Sequence, residues 1–175
     1  MKRLSGRAWA VILLVAVGTL ISGSWLLGQG SQPGYSVNMP VSLGVGQVRT
    51  PQFEVKNGNY SIAIEAKKRL PLDDMNCMLG LTDPTPLVPC NRGKEPMIQA
   101  NWTLWSHGQI ADQGSSGTHK NDGEWENDGV VRVIGNFKGK KGTKYILEVN
   151  FTKDGAALAV TDPHLVVRVI SETEQ

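Results

Sequence analysis

Runs in which apolar and polar residues alternate make up most of the chain beyond residue 34. The clearest is residues 144–151 (KYILEVNF), where Tyr145, Leu147, Val149 and Phe151 fall on one side. Successive side chains of a β-strand point to opposite faces, so this pattern predicts a strand with one buried face. Similar runs occur at residues 53–55, 59–67, 97–107, 130–137 and 164–170.

The runs are short, and the segments between them are rich in Gly, Pro, Asn and Asp, which form turns. Residues 35–48 are extended and uncharged and are expected to form an edge or bulged strand. About seven or eight strands at this spacing predict an all-β domain, an antiparallel two-sheet sandwich of the immunoglobulin or fibronectin type. Within it, Asn57-Gly58 predicts a hairpin turn, residues 113–129 a polar loop, and residues 156–159 at most one helical turn.

A different pattern precedes this domain, because residues 8–27 (AWAVILLVAVGTLISGSWLL) are almost all apolar and carry no charge. Twenty residues at a helical rise of about 1.5 Å span about 30 Å, the thickness of a bilayer's hydrocarbon core. Lys2, Arg3 and Arg7 precede the run, which favours a cytoplasmic N-terminus. The sequence therefore predicts a single-pass membrane protein with a cytoplasmic segment at residues 1–7, an anchor at 8–27, a linker at 28–34 and a periplasmic or extracellular domain at 35–175.

A cleaved signal peptide is the alternative for the same run, and it would make the domain a secreted one. The run is longer than the usual apolar region of about 7–15 residues, and no Ala-x-Ala site follows it. Small residues at 22–24 leave a weak cleavage site open. Both alternatives export the domain from the cytoplasm.

The charge of the exported part is close to zero. The chain has 18 basic and 16 acidic residues, and the three basic residues before the anchor stay inside, which leaves 15 basic and 16 acidic residues outside. A net charge near zero gives no electrostatic case for nucleic acid or an anionic lipid surface as a partner.

The two cysteines, Cys77 and Cys90, both lie in the exported part. An even pair in an oxidising compartment predicts a disulfide, and residues 82–89 between them are rich in turn formers. Two unpaired buried thiols are the alternative. No Cys-x-x-Cys motif is present, so redox catalysis is not indicated.

No set of residues predicts catalysis, a cofactor or a metal site. His107, His119 and His164 are far apart and belong to no His-Glu-x-x-His pair. Acidic residues alternate at positions 122, 124, 126 and 128, but they lack the spacing of a calcium loop and are interpreted as a solvated surface. A site built from His119, Asp122 and Glu124 is the weakest functional alternative.

Tryptophans give the one indication of a binding surface. The alternation in residues 97–107 sends Trp102 to the core and Trp105 to the opposite face, and Trp125 lies in the polar loop. Aromatic side chains anchor protein interfaces and also stack on sugars. The sequence thus predicts a membrane-anchored module that binds another protein, such as an envelope inhibitor or immunity-type protein. The alternatives are a carbohydrate-binding module that uses Trp105 and Trp125, or a Trp105 ring that is merely covered by the following loop.

The disulfide can be tested on the exported domain by mass spectrometry. We expect the unreduced domain to be lighter than the reduced one by the mass of two hydrogen atoms, with both cysteines protected from alkylation until a reductant is added. Closing a loop of this size contributes about 3 kcal/mol to the free energy of unfolding in the chain-entropy model, so Cys90→Ser should unfold at a lower urea concentration. Ready alkylation of both cysteines in the unreduced domain would contradict the bond.

Overall fold

The computed structural model describes residues 35–81, 96–116, 123–125 and 128–170, with the backbone alone for residues 124 and 125. These residues form ten β-strands, one α-helix and one 3₁₀-helix. The strands are β1 (Tyr35–Pro40), β2 (Gly46–Arg49), β3 (Phe53–Glu54), β4 (Gly58–Lys67), β5 (Ala100–Ser106), β6 (Gln109–Ser115), β7 (Gly123–Trp125), β8 (Gly129–Gly139), β9 (Lys144–Phe151) and β10 (His164–Val169). The α-helix, α1, is Leu72–Leu79, and the 3₁₀-helix is Ala156–Thr161.

The strands make two antiparallel sheets, which confirms the all-β prediction. Sheet A has the order β1-β10-β4-β8-β7, and sheet B has the order β2-β9-β5-β6, with β3 pairing with another part of β9. Every strand pair is antiparallel. The single strand expected at residues 35–48 is instead two, β1 in sheet A and β2 (Gly46–Arg49) in sheet B. As expected, β1 is an edge strand with an irregularity between Tyr35 and Val37.

The main core lies between the inner faces of the two sheets, as the alternation predicts. A second buried cluster of Ala63, Val131 and Val166 lies on the other face of sheet A, so β4 is not the half-buried strand expected. The four apolar residues of β9 that fall on one side of the run, from Tyr145 to Phe151, are all buried. Ile62 and Ile64 of β4 contribute from sheet A and are completely inaccessible to solvent. Burial of this apolar surface is the main stabilising contribution to such a fold.

Trp102 fills the interior between β6 and β8. Its indole is 5% exposed, and a Cβ atom at Gly135 would lie 2.1 Å from its Nε1 atom. A Cβ atom at Gly114 would lie 2.7 Å from its Cζ2 atom. Gly135 belongs to an irregular part of β8, where the register with β4 shifts beside Ile62. The indole therefore fits only because both neighbouring strands present glycine at the contact.

The expected hairpin at Asn57-Gly58 is wrong, because β3 and β4 belong to different sheets. Phe53 of β3 packs on Tyr145 of sheet B, with ring centroids 6.1 Å apart. Tyr60 of β4 instead stacks on Phe137 of sheet A at 5.4 Å. Strand pairing places Phe53 and Tyr60 in opposite sheets, and the chain crosses between the sheets at this point. Phe137 also packs on Tyr145, with ring centroids 5.8 Å apart, so the rings form one cluster across the two sheets.

The helix α1 and the strand β7 are absent from the sequence-based prediction. Eight residues are too few for a clear helical period, but α1 buries Met75, Met78 and Leu79 and ends at Gly80 in the left-handed conformation. The expected loop at residues 113–129 is shorter than predicted, because β6 extends to Ser115 and β7 follows. The helical turn expected at 156–159 is confirmed as part of the 3₁₀-helix.

Residues 8–27, on which the anchor is predicted, lie outside the described residues. In the parts of the chain that the structure covers, no helix combines the length and apolar character needed to cross a bilayer. Ser31–Gln175 forms one compact unit, and it contains every residue of the described core. A fragment with these bounds is therefore expected to fold by itself.

The packing of Trp102 predicts a position-specific effect of adding one methyl group. Gly135→Ala should lower the free energy of unfolding by about 1–3 kcal/mol, because the new Cβ atom overlaps the buried indole. The check is urea unfolding of the Ser31–Gln175 fragment. Gly44→Ala is the matched control, because its nearest heavy atom is 3.7 Å away, and it should have little effect. Trp102→Phe should partly rescue Gly135→Ala, and equal effects of the two alanine variants would contradict this packing.

Candidate functional site

An apolar row crosses three strands on the outer face of sheet B. Trp105 of β5 lies opposite Ile110 of β6 and opposite Ile146 of β9 in the strand register. Directly opposite residues share a face, so the three side chains, here named the Trp105 row, stand side by side. Ile110 is 53% exposed, whereas Trp105 and Ile146 are half-buried.

The local sequence explains why this row forms. His107 and Gly108 make the two-residue turn between β5 and β6, and both have positive φ angles, 52° and 75°. This conformation suits a tight hairpin, and Gly adopts it at no steric cost. A two-residue turn brings Ser106 opposite Gln109 and therefore Trp105 opposite Ile110.

Hydrogen bonding fixes the orientation of the Trp105 ring. Its Nε1–H donates to Oε2 of Glu148 at 2.9 Å, and the other carboxylate oxygen, Oε1, lies 3.3 Å from Nη1 of Arg49. Bonds to a charged acceptor are stronger than neutral ones, and Glu148 is only 18% exposed. The ring is thus held by a carboxylate and bordered by a guanidinium group, which gives the row one polar end.

The row ends at the free edge of sheet B. All residues of β6 except Gly114 are exposed, and no other described strand pairs with the outer edge of β6. An open edge offers backbone donors and acceptors to another chain. One of these groups is already used, because the amide N–H of Gln113 donates to Oδ1 of Asp112 at 2.9 Å.

A second polar cluster lies where β10 begins in sheet A. Nδ1 of His164 lies 2.6 Å from Oδ1 of Asn38, and its Nε2 lies 3.8 Å from Oδ1 of Asp162. Lys67 donates a hydrogen bond from Nζ to Oδ2 of Asp162. That hydrogen bond and the charge of Lys67 hold the pKa of Asp162 below its ordinary value of 3.8. The cluster connects three strands through polar contacts, and no Ser, Thr or Cys side chain takes part in its described contacts.

The structure separates the two tryptophans proposed as ligand-binding residues. Trp105 lies on the face opposite the core, as expected, whereas Trp125 belongs to β7 of sheet A, where its backbone pairs with Val130. The side chain of Trp125 is outside the described residues. Ile110, Ile146, Glu148 and Arg49 were missed, although the His107-Gly108 turn fixes the register and could have identified Ile110.

The remaining candidate residues are only partly covered by the structure. Cys77 lies on α1, is 7% exposed and is not a free thiol. Cys90 is outside the described residues, so the pairing of the two stays a prediction. His119 and Asp122 are also outside them, and only the backbone of Glu124 is described, so that alternative site stays a prediction. No group of three or more metal-binding side chains occurs in the described parts of the chain.

Comparison with known proteins identifies a similar fold and no family. No family model matches the chain, and no curated protein matches it significantly. The chain is similar to a crystal structure of a protein from Sulfurospirillum deleyianum, with a TM-score of 0.55 and 12% sequence identity. The match covers 78% of this chain and 98% of that chain. At so low an identity, the similarity shows the fold alone.

The Lys67–Asp162 contact predicts that the pKa of Asp162 depends on the charge of Lys67. Because the pKa of Asp162 is lowered in the folded state, the Lys67–Asp162 pair stabilises the fold fully when the pH is above the pKa of Asp162 in the unfolded chain. This stabilisation is lost as the pH falls from 3.8 to below the lower pKa that Asp162 has in the folded state. Lys67→Gln should raise the pKa of Asp162 towards 3.8, as measured by the NMR titration of its carboxyl carbon. Arg69→Gln is the control, because the charge of Arg69 lowers the pKa of Asp162 less than Lys67 does, so this variant should change that pKa less. An unchanged pKa of Asp162 in Lys67→Gln would disprove the assignment.

Proposed function

We propose that this chain is a membrane-anchored, extracytoplasmic β-sandwich module that binds another protein and has no catalytic activity. An N-terminal transmembrane helix at residues 8–27 would hold a sandwich of the immunoglobulin or fibronectin type outside the cytoplasm. A disulfide between Cys77 and Cys90 belongs to the same proposal. An envelope inhibitor or immunity-type protein is the concrete form of such a function.

The observation that supports protein binding is the Trp105 row beside an open strand edge. Aromatic residues surrounded by aliphatic ones form the energetic centre of many protein interfaces, and polar groups form the rim. Here Ile110 and Ile146 flank the indole of Trp105, and Glu148 with Arg49 supplies a polar border. The free edge of β6 adds backbone groups that only a peptide chain can pair in series.

Carbohydrate binding is the second candidate, and the fixed indole of Trp105 is the observation that favours it. A ring held by Glu148 could stack on the apolar face of a sugar at little entropic cost. A sugar also needs several hydrogen-bonding partners around the ring. Glu148 is already engaged by Trp105 and Arg49, and two of the neighbours of the ring are isoleucines, so protein binding fits the surface better.

Affinity capture with variants tests the protein-binding proposal. The immobilised Ser31–Gln175 fragment is exposed to an extract of the envelope of the source cell, and the captured proteins are identified by mass spectrometry. Ile110→Ser and Trp105→Ala should reduce capture of the specific partner at least about tenfold, the effect of losing a central interface residue.

Val160→Ser is the matched control for Ile110→Ser, because Val160 is 55% exposed but lies on the 3₁₀-helix, away from sheet B. It should leave capture unchanged. Equal capture by the wild-type fragment and by the Ile110 and Trp105 variants would refute the proposed surface. Loss of capture accompanied by glycan-dependent quenching of tryptophan fluorescence, abolished by Trp105→Ala, would favour the carbohydrate candidate instead.

A further inference from the structure

One end of the sandwich carries five exposed lysines, here named the lysine end. They are Lys56, Lys138, Lys140, Lys141 and Lys144. None of them forms an ion pair with an acidic side chain of the described residues. The net charge of the whole domain conceals this concentration, because the acidic residues are distributed elsewhere.

The strand register gathers these lysines from two distant parts of the sequence. Lys138 lies opposite Asn59 at the start of β4, and the next residues form the turn between β8 and β9. The backbone N–H of Lys141 donates to Oδ1 of Asn57 at 2.8 Å, which connects this turn to the segment that carries Lys56. The backbone N–H of Lys140 donates to the hydroxyl of Tyr145 at 3.3 Å. The lysine end is therefore built on ordered turns.

Acidic side chains are few at this end and more frequent at the other. Among the described residues, Glu54 is the acidic residue that lies at the lysine end, where it is opposite Lys144 in the strand register. Ile170 lies at the same end, where its backbone N–H donates to the carbonyl oxygen of Asn59 at 2.9 Å. Glu172 and Glu174 follow it in the sequence and are outside the described residues. Around the opposite end, basic and acidic residues are mixed: Lys67, Lys68, Arg69 and Lys153 occur with Asp73, Asp74, Asp128, Asp154 and Asp162.

The chain enters the sandwich at the lysine end. Tyr35, the first described residue, pairs with Arg168 near the end of β10, and Val169 pairs with Tyr60 near the start of β4. The predicted linker at residues 28–34 reaches at most about 25 Å when fully extended. Strand β4, with 10 residues, is about 33 Å long. A linker that starts at the lysine end is thus too short to run past the sandwich and place the opposite end against a membrane.

We propose that the lysine end docks on the anionic phospholipid headgroups of the membrane from which the domain extends. Lysine ammonium groups close to a negatively charged bilayer are attracted to it, and each additional lysine near the surface strengthens the attraction. Docking would direct the opposite end of the sandwich away from the bilayer. The proposal takes the membrane anchor from the function proposed above, but the lipid-binding surface itself is independent of the anchor.

Vesicle sedimentation of the Ser31–Gln175 fragment tests this surface without the anchor. The vesicles contain phosphatidylcholine alone or phosphatidylcholine with about 30 mol% phosphatidylglycerol, a composition that carries a negative surface potential. We expect binding to the anionic vesicles only, and weaker binding as the salt concentration rises. The combined variant Lys138→Gln, Lys140→Gln and Lys141→Gln should lower the partition coefficient at least about tenfold.

A charge-matched variant separates a specific surface from the effect of net charge. Lys67→Gln, Lys68→Gln and Arg69→Gln remove the same charge from the opposite end and should change the partition coefficient by less than about twofold. Deleting residues 171–175 removes two glutamates and should strengthen binding. Equal losses in the two triple variants, or no binding of the wild-type fragment to anionic vesicles, would overturn the proposal. Binding to poly-glutamate but not to the vesicles would overturn it as well and would assign the surface to an acidic protein.

Experiments on the full-length protein in vesicles of the two compositions test the docked orientation separately from the predicted membrane anchor. Acetylation, read by peptide mass spectrometry, should be slower at Lys140 and Lys141 in anionic vesicles than in neutral ones, whereas the rate at Lys68 should be the same in both. If the full-length chain fails to enter vesicles while the fragment still binds them, the anchor is wrong and the lipid surface stands. If the full-length chain inserts but its lysines react equally in both compositions, the docked orientation is wrong.

Discussion

The placement of the Trp102 indole between the sheets is the constraint on which the rest of the structure depends. Its ring occupies space that a Cβ atom at Gly114 or Gly135 would need, so it joins β5 to strands of both sheets. Because side chains alternate along a strand, burying Trp102 sends Trp105, three residues later, to the outer face. The orientation of β5 therefore determines both which of its residues lie in the core and the position of the Trp105 row on the outer face of sheet B.

Alternation predicts the inward faces of β4, β5 and β9 because it reports local periodicity, and these strands are long enough to show it. It cannot predict which strands pair. Phe53 and Tyr60 lie only seven positions apart, yet they pair with Tyr145 and Phe137 in different sheets. The short α1 was missed because its apolar face is set by tertiary packing rather than by a sustained helical period.

The same limitation applies to the candidate site and to charge. Trp105 could be assigned to the outer face from β5 alone, but Ile146, Glu148 and Arg49 become its neighbours only through pairing with β9 and β2. Trp125 follows Trp105 by 20 positions in the sequence and lies in the other sheet. The overall charge gives no electrostatic case for an anionic surface as a partner, whereas the register collects five lysines at the end where the chain enters the sandwich. Together these observations give the domain two proposed surfaces, one for a protein partner and one for lipid. The two are close together, because Ile146 of the Trp105 row is only two residues from Lys144 in β9.

The exposed and buried environments of the two tryptophans can be measured directly by hydroxyl-radical footprinting of the folded Ser31–Gln175 fragment, with peptide mass spectrometry as the readout. Trp105, half-buried on the outer face of sheet B, should be oxidised much faster than Trp102, which is 5% exposed, and the difference should vanish in urea. Equal oxidation of Trp102 and Trp105 in the folded fragment would contradict the register of β5, and with it both the packing of the core and the proposed binding face.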